Sequence, residues 1–182
     1  MNLLLTSCGL ETEEITQTFI SMLPKAASEI KAVFIPTAAV FPDAIEVLPM
    51  CLEDLLKVGI LKENIVVYDL HKFMKISEYD VVYLCGGDPA YLLERINEVD
   101  FGDELRDFIK NDGVVVGVSA GSIVFADNME NNLDFLPCKL EVHCDKESCE
   151  EDGILDMTKK SCIKLGNEQA IIFKDEAIVI IG

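Results

Sequence analysis

The sequence contains no tryptophan and only two histidines, His71 and His143. Its 15 lysines and arginines are outnumbered by 33 aspartates and glutamates, which leaves a formal net charge of −18 at pH 7. A chain with this charge repels the phosphates of nucleic acids and the anionic head groups of lipids. We therefore expect neither nucleic acid nor a membrane surface among its partners.

Long apolar runs and paired cysteines are lacking as well. No apolar stretch approaches the roughly 20 residues that a membrane-spanning helix needs. The seven cysteines are an odd number with no Cys-x-x-Cys pair, and two histidines add little to a possible zinc site. Because reduced thiols suit the cytoplasm, we expect a cytoplasmic protein that needs no metal and no other cofactor.

The composition is sufficient for one folded domain. Half of the 182 residues are hydrophobic, which is ordinary for an α/β enzyme and far from the composition of disordered chains. No internal repeat, linker or low-complexity tract divides the chain. We expect residues 1–182 to form a single domain, and the sequence is compatible with a monomer or a homodimer.

Short apolar runs alternate with helical patterns along most of the chain. The predicted strands lie at 3–6, 32–35, 65–68, 80–85 and 114–118, and the predicted helices at 12–23, 43–58, 91–96 and 103–110. Runs that are apolar on both faces are typical of parallel strands covered by helices. The pattern predicts a doubly wound α/β fold with a mostly parallel sheet and helices on both faces.

Three further predicted strands follow near the end of the sequence. They lie at 163–165, 170–173 and 177–181 and are too closely spaced for helical crossovers. Close spacing favours hairpin connections, so we expect an antiparallel edge there.

The segment Gly117-Val118-Ser119-Ala120-Gly121 matches the pattern G-x-S-x-G. It lies between a predicted buried strand and a predicted helix, which is the context in which this pattern holds a nucleophilic serine on a sharp elbow. The alternative is a tight strand-to-helix turn whose serine only caps the helix. The context favours Ser119 as a nucleophile.

A second loop is predicted at the same edge of the sheet. Gly86 and Gly87 end the strand that precedes the elbow strand in the sequence, and ligands of open α/β sheets bind at the carboxyl ends of strands. Alone, two glycines usually mark a turn. Together with the elbow, Gly87 or Gly86 and the N–H of Ala120 are candidates for an oxyanion hole.

A serine nucleophile needs a base, and only two histidines can provide an imidazole. His71 follows a predicted strand and has no feature that separates it from a surface loop residue. His143 lies in a short apolar segment that could direct its side chain back across the sheet edge. Spacing alone favours His143 only modestly.

Four motifs occur in an order that resembles the peptidase E (aspartyl dipeptidase) family of serine peptidases, whose fold is related to class I glutamine amidotransferases. They are Leu4-Leu5-Thr6-Ser7, Phe34-Ile35-Pro36-Thr37-Ala38, the nine residues from Cys85 to Leu93, and Gly117-Val118-Ser119-Ala120-Gly121-Ser122. The resemblance spans nearly the whole chain. It implies a serine peptidase with a class I glutamine amidotransferase-like fold that acts on short peptides.

The resemblance also implies roles for residues beyond the elbow. The segment from Leu133 to His143 is similar to the one that carries the catalytic histidine, which assigns that role to His143. The segment from Gly166 to Ile171 is similar to the one that supplies the acidic triad member. A gapless match places Asn167 at the acid's position, with Glu168 one residue later. We expect one of the two to orient His143, with a slight preference for Glu168.

Specificity for an amino-terminal aspartate does not follow from the resemblance. The resemblance implies that family members with that preference have an arginine after the catalytic histidine. The only arginines here are Arg95 and Arg106, and both precede His143. Three other functions remain: a catalytically impaired homologue that binds a small ligand or partner in the crevice, an esterase or amidase for non-peptide compounds, and a glutamine amidotransferase. The elbow serine disfavours the last of these.

Overall fold

The computed structural model describes residues 1–174 and 177–182, and its centre is an eight-stranded sheet. Five strands from the first two thirds of the chain run parallel in the order β3-β2-β4-β5-β1. They are β1 (Leu3–Thr6), β2 (Ala32–Ile35), β3 (Ile65–Val67), β4 (Val81–Leu84) and β5 (Val114–Val118). All residues of β1, β2, β4 and β5 are buried, as expected for strands covered on both faces.

Helices cover both faces of the sheet, which confirms the predicted doubly wound α/β fold. They are α1 (Glu13–Met22), α2 (Pro42–Lys57), α3 (Pro89–Glu98), α4 (Phe101–Lys110) and α5 (Ala120–Ile123). Residues of α1 and α2 pack in one apolar cluster with Leu4 and Tyr83. Residues of α3, α4 and α5 pack in the other with Leu5 and Leu84, because neighbouring residues of a strand face opposite sides.

The remaining strands are β6 (Lys139–Glu141), β7 (Gly153–Ile154), β8 (Cys162–Lys164), β9 (Ala170–Lys174) and β10 (Ala177–Ile181). β9 pairs antiparallel with β1, β10 with β9 and β7 with β10, so the expected antiparallel edge is present. β8 differs from the prediction because it pairs in parallel with β6 in a separate two-stranded sheet. Each of these two strands buries one residue, Leu140 or Ile163, which is too little for a strand covered on both faces.

The topology brings three loops together at one edge of the sheet. β4, β5 and β1 are neighbours and parallel, so the residues that follow them meet at their carboxyl ends. These residues are Ser7 after β1, Gly86 after β4 and Ser119 after β5. Across the part of the chain that the structure describes, no helix combines the length and the apolar character that crossing a bilayer requires.

Candidate active site

Ser119 stands at a sharp turn between β5 and α5. Its backbone has φ 50° and ψ −107°, a conformation that costs free energy for a residue with a side chain. The turn is held by hydrogen bonds, since the Ser119 N–H donates to the Thr6 carbonyl at 3.0 Å and its own carbonyl accepts from Ser122 N–H at 2.9 Å. Strain of this kind is typical of the nucleophile elbow that the motif predicted.

The two glycines of the motif are required by close approach of backbone segments. A Cβ at Gly117 would lie 2.4 Å from the Gly121 carbonyl oxygen, and a Cβ at Gly121 would lie 2.3 Å from the Leu84 carbonyl oxygen. Backbone atoms at such distances cannot give way by a side-chain rotation. The elbow therefore sits directly against the end of β4.

We expect Gly121→Ala to lower the free energy of unfolding by about 2–3 kcal/mol, because the new methyl group forces backbone segments apart. The intrinsic helix propensity of alanine acts in the opposite direction by about 1 kcal/mol. Denaturant unfolding measures the difference. Gly166→Ala is the matched control, since a Cβ there would meet no atom nearer than 3.5 Å. Equal stabilities of the two variants would contradict the close packing of the elbow.

His143 reaches the elbow from the loop that follows β6. Its Nε2 lies 3.0 Å from Ser119 Oγ, a hydrogen-bonding distance. The residue has a left-handed backbone with φ 58°, and its N–H donates to the hydroxyl of the fully buried Ser7 at 2.8 Å. The Ser7 hydroxyl thus fixes a backbone conformation that a histidine seldom adopts, and it holds the imidazole over the serine.

The second ring nitrogen of His143, Nδ1, contacts Asn167. His143 Nδ1 lies 2.8 Å from Asn167 Oδ1. An amide oxygen only accepts, so Nδ1 carries the proton in this arrangement and Nε2 is left as an acceptor for the Ser119 hydroxyl. This is the tautomer that a general base requires.

Glu168 does not take the position that the slight preference of the sequence analysis gave it. It is exposed on the turn that precedes β9, and within residues 1–174 and 177–182 it makes no hydrogen bond to His143. The turn is closed by Gln169 N–H to Gly166 O at 3.1 Å and tied to β1 by Ser7 N–H to Gln169 O at 3.1 Å. With the turn so placed, Asn167 is the residue that meets the imidazole.

The three residues considered for an oxyanion hole lie around Ser119. A Cβ at Gly86 would lie 3.3 Å from Ser119 Cβ, and Gly87, with φ 139°, passes so close to Ala38 that a Cβ would lie 2.0 Å from its carbonyl oxygen. The N–H of Ala120 is the first backbone N–H of α5. Over the described ranges 1–174 and 177–182, neither Gly87 N–H nor Ala120 N–H donates to a backbone carbonyl. Gly87 lines the cleft beside Ser119, whereas Ala120 is fully buried directly behind the nucleophile.

His71 is remote from this cluster. Its Nε2 pairs with Asp69 Oδ2 at 3.0 Å, and 77% of its side chain is exposed. Asp69 in turn accepts from the Thr37 hydroxyl at 2.6 Å. The structure therefore brings only one of the two histidines to Ser119.

A cleft of about 810 Å³ opens beside Ser119 and His143. Its floor includes Ser7, Gly86 and Gly87, and one of its sides is a face of α2. We call this face the α2 wall; it consists of Asp43, Val47, Met50, Cys51, Asp54 and Lys57, and three further residues of α2, Ala44, Pro49 and Glu53, also line the cleft. The sequence analysis did not find it. The sequence does contain a signal for this face, because its residues recur every three or four positions along a predicted helix. Such spacing shows that the residues share one face of the helix, but it does not show that the face lines a cleft.

Titratable groups at the base of the α2 wall are strongly affected by burial. Burial raises the pKa of the Asp54 carboxyl and raises the pKa of the Cys85 thiol well above its usual value. A hydrogen bond from Cys85 lowers the pKa of Cys51. Among the residues that the structure describes, no group of three or more histidine, cysteine, aspartate or glutamate side chains is arranged to hold a metal ion.

The family model of Peptidase family S51 matches residues 3–141 of the chain. This range includes Ser119 but ends before His143. The fold is similar to a Listeria monocytogenes EGD-e protein provisionally described as a peptidase E protein, with a TM-score of 0.75, 16% identity and coverage of 99% of this chain and 97% of that one.

A peptidase from an acI-B1 Actinobacterium is also similar in fold. Its TM-score is 0.65 at 15% identity, with 99% of this chain and 86% of that chain covered. The comparison with curated proteins found no match.

Proposed function

We propose that this chain, which belongs to peptidase family S51, hydrolyses short peptides through an acyl-enzyme formed on Ser119. The family match confirms the resemblance found in the sequence and the expectation of a serine peptidase of the peptidase E type. The nucleophile, its partners and the size of the substrate are our proposal. One observation carries it: Ser119 Oγ, both nitrogens of His143 and Asn167 Oδ1 form a continuous chain of hydrogen-bonding distances.

The proposed reaction begins with attack of Ser119 Oγ on a peptide carbonyl carbon. The hydroxyl proton passes to His143 Nε2, and the imidazolium then gives it to the leaving amine as the C–N bond breaks. Water, deprotonated by the same nitrogen, hydrolyses the ester and restores Ser119. Asn167 keeps Nδ1 protonated throughout, as an asparagine does in cysteine peptidases that use Cys-His-Asn.

The oxyanion of each tetrahedral intermediate would accept hydrogen bonds from backbone N–H groups. Ala120 N–H is supported as one donor because it follows the nucleophile and begins a helix. Gly87 N–H is supported as the other, since Gly86 and Gly87 lie in the same cleft as Ser119. The volume of about 810 Å³ is in the range of small-ligand sites, which supports a short peptide rather than a folded protein as substrate.

The catalytically impaired homologue remains the second candidate, and Asn167 is the observation that favours it. A neutral amide stabilises the imidazolium less than a carboxylate does, and the Asn167 side chain is exposed to solvent. An esterase or amidase would use the same nucleophile on a different acyl group. Only assays with different substrates therefore distinguish it from a peptidase.

A fluorophosphonate probe tests the nucleophile without knowledge of the substrate. We expect the folded protein to form one adduct, which mass spectrometry locates on Ser119 and not on the neighbouring Ser122. A folded protein that forms no adduct would favour the impaired homologue. A panel of short peptides and simple esters, assayed on the protein that labels, then separates a peptidase from an esterase.

Exchange of Asn167 for aspartate should raise kcat by about three- to tenfold. A carboxylate at this position accepts from Nδ1 as the amide does and adds a charge that stabilises the imidazolium, although solvent weakens the effect at an exposed site. Glu168→Gln removes a charge one residue away and should change kcat by less than about twofold. Steady-state kinetics on the best peptide substrate compare the two. A large loss in Glu168→Gln, with no gain in Asn167→Asp, would assign the third position to Glu168.

A further inference from the structure

Asp54 is held in the α2 wall by donors from two other parts of the chain. Its Oδ2 accepts from the Tyr83 hydroxyl at 2.7 Å and from Leu10 N–H at 3.1 Å. The loop that carries Leu10 comes so close that a Cβ at Gly9 would lie 2.6 Å from the same oxygen. These two hydrogen bonds fix the orientation of the carboxylate.

The second carboxylate oxygen of Asp54, Oδ1, is left without a protein partner in the part of the chain that the structure describes. The residue lines the cleft that holds Ser119 and His143. Burial raises the pKa of this carboxyl, which means that its charge is stabilised less than in water. A cation entering the cleft would supply the missing stabilisation.

The carboxylates outnumber the cations in the cleft, although the charge of Lys57 partly offsets them and opposes the burial that raises the pKa of Asp54. Its lining has four carboxylates and one lysine, Lys57, apart from His143. The lysine forms no ion pair with Asp54 within the described part of the chain, although it is three residues away on α2. The four carboxylates are those of Glu11, Asp43, Glu53 and Asp54. Such a site repels an acidic substrate and attracts a basic one.

The two arginines of the chain cannot reverse this charge. Arg95 donates to the Leu70 carbonyl and pairs with Glu98, and Arg106 pairs with Asp103. Neither lines the cleft. A peptide with an amino-terminal aspartate would therefore bring its carboxylate into a negative field with no arginine to receive it.

We propose that Asp54 determines specificity by binding a cationic group of the substrate, either the free amino terminus or the side chain of a basic residue. The ammonium or guanidinium donates to Asp54 Oδ1 while Tyr83 and Leu10 hold Oδ2. Lysine-like chains can also lay their methylene groups along Val47 and Met50 of the α2 wall, which are exposed. This inference rests on the proposed function, since the cleft is the proposed substrate site.

Four small amides test the inference without turnover. Lysinamide carries an α- and a side-chain ammonium, norleucinamide only the first, N-acetyl-lysinamide only the second and N-acetylnorleucinamide neither. Binding is measured by NMR titration, with the Leu10 amide, which donates to Asp54, as the reporter. We expect the preferred cation to bind about tenfold more tightly than the neutral amide. The second and third amides distinguish the two sources of the cation.

Two variants locate the preference. Asp54→Asn keeps an acceptor for Tyr83 and Leu10 but removes the charge, and it should abolish the tenfold difference. Glu46→Gln removes one charge from an exposed position of the same helix outside the cleft and should leave the difference unchanged. Neutral and cationic amides that bind wild-type protein equally would overturn the inference, as would a preference that survives in Asp54→Asn.

The outcome does not depend on the nucleophile. If fluorophosphonate labels Ser119 but the amides show no preference for a cation, the inference fails and the proposed function stands. If the cationic amides bind through Asp54 but fluorophosphonate does not label Ser119, the inference stands and the proposed function is contradicted. Should Asp54→Asn not fold, the wild-type titration decides. A preference that moves the Leu10 amide and weakens between about 20 and 500 mM salt, as the Debye length falls from roughly 20 Å to roughly 4 Å, supports the inference. A preference without these signs overturns it.

Discussion

Ser119→Ala is expected to abolish fluorophosphonate labelling and to lower kcat by a factor of about 10⁴ or more. The reason is that Oγ is the only atom within hydrogen-bonding distance of His143 Nε2 among the described contacts. The Oγ of Ser119 makes no helix-capping hydrogen bond. Its removal should therefore change the free energy of unfolding by less than about 1 kcal/mol.

Ser122 provides a matched control in the same turn. Its hydroxyl is fully buried and lies 2.8 Å from the carbonyl oxygens of both Thr6 and Gly117. Ser122→Ala should lower the free energy of unfolding by about 1–2 kcal/mol and still label at Ser119. Thermal unfolding and intact-mass measurements on both variants separate the two roles. Normal turnover by Ser119→Ala would refute the assignment of the nucleophile.

His143→Ala should reduce kcat about as severely as the loss of the serine. The residues of a catalytic triad act as a unit, so removing the base leaves Ser119 with no acceptor for its proton. The double variant with Ser119→Ala should be no slower than either single variant. Steady-state kinetics on the same peptide provide the comparison.

His71→Ala is the matched control for the base. His71 is exposed and paired with Asp69 outside the cleft, so kcat and KM should stay within about twofold of the wild-type values. A protein that depends on His71 and tolerates His143→Ala would require a different active site. Labelling of both variants with fluorophosphonate gives the same comparison without a substrate.

The elbow and the parallel strands could be predicted because their signals are local. Four valines between Val114 and Val118, with glycines at 117 and 121, already specify a buried strand and a close-packed turn. The structure supplies the reason for the glycine spacing, since Gly117 meets Gly121 and Gly121 meets Leu84. Sequence reasoning could also place Gly86 and Gly87 beside Ser119, because β4 and β5 both end at this edge.

The partner of His143 could not be predicted from local patterns. Asn167 and Glu168 are adjacent, and the choice between them depends on a turn whose position is set by the hydrogen bond from Ser7 to Gln169. Ser7 and Gln169 are far apart in the sequence. The same limit applies to the α2 wall, because helical spacing defines a face while only the packing of α2 shows that the face lines the cleft.

The position of β1 has a consequence for the order in which the enzyme matures during synthesis. β1 lies between β5, which carries the elbow, and β9, which follows Asn167. A ribosome delivers β1 before Ser119 and Ser119 before β9, while domains consolidate as their parts emerge. The nascent chain thus holds the proposed nucleophile before β9, the strand that follows Asn167, has been made. In the proposed mechanism the imidazole is oriented only after β9 has paired with β1, so a chain released before β9 would hold His143 without its orienting amide.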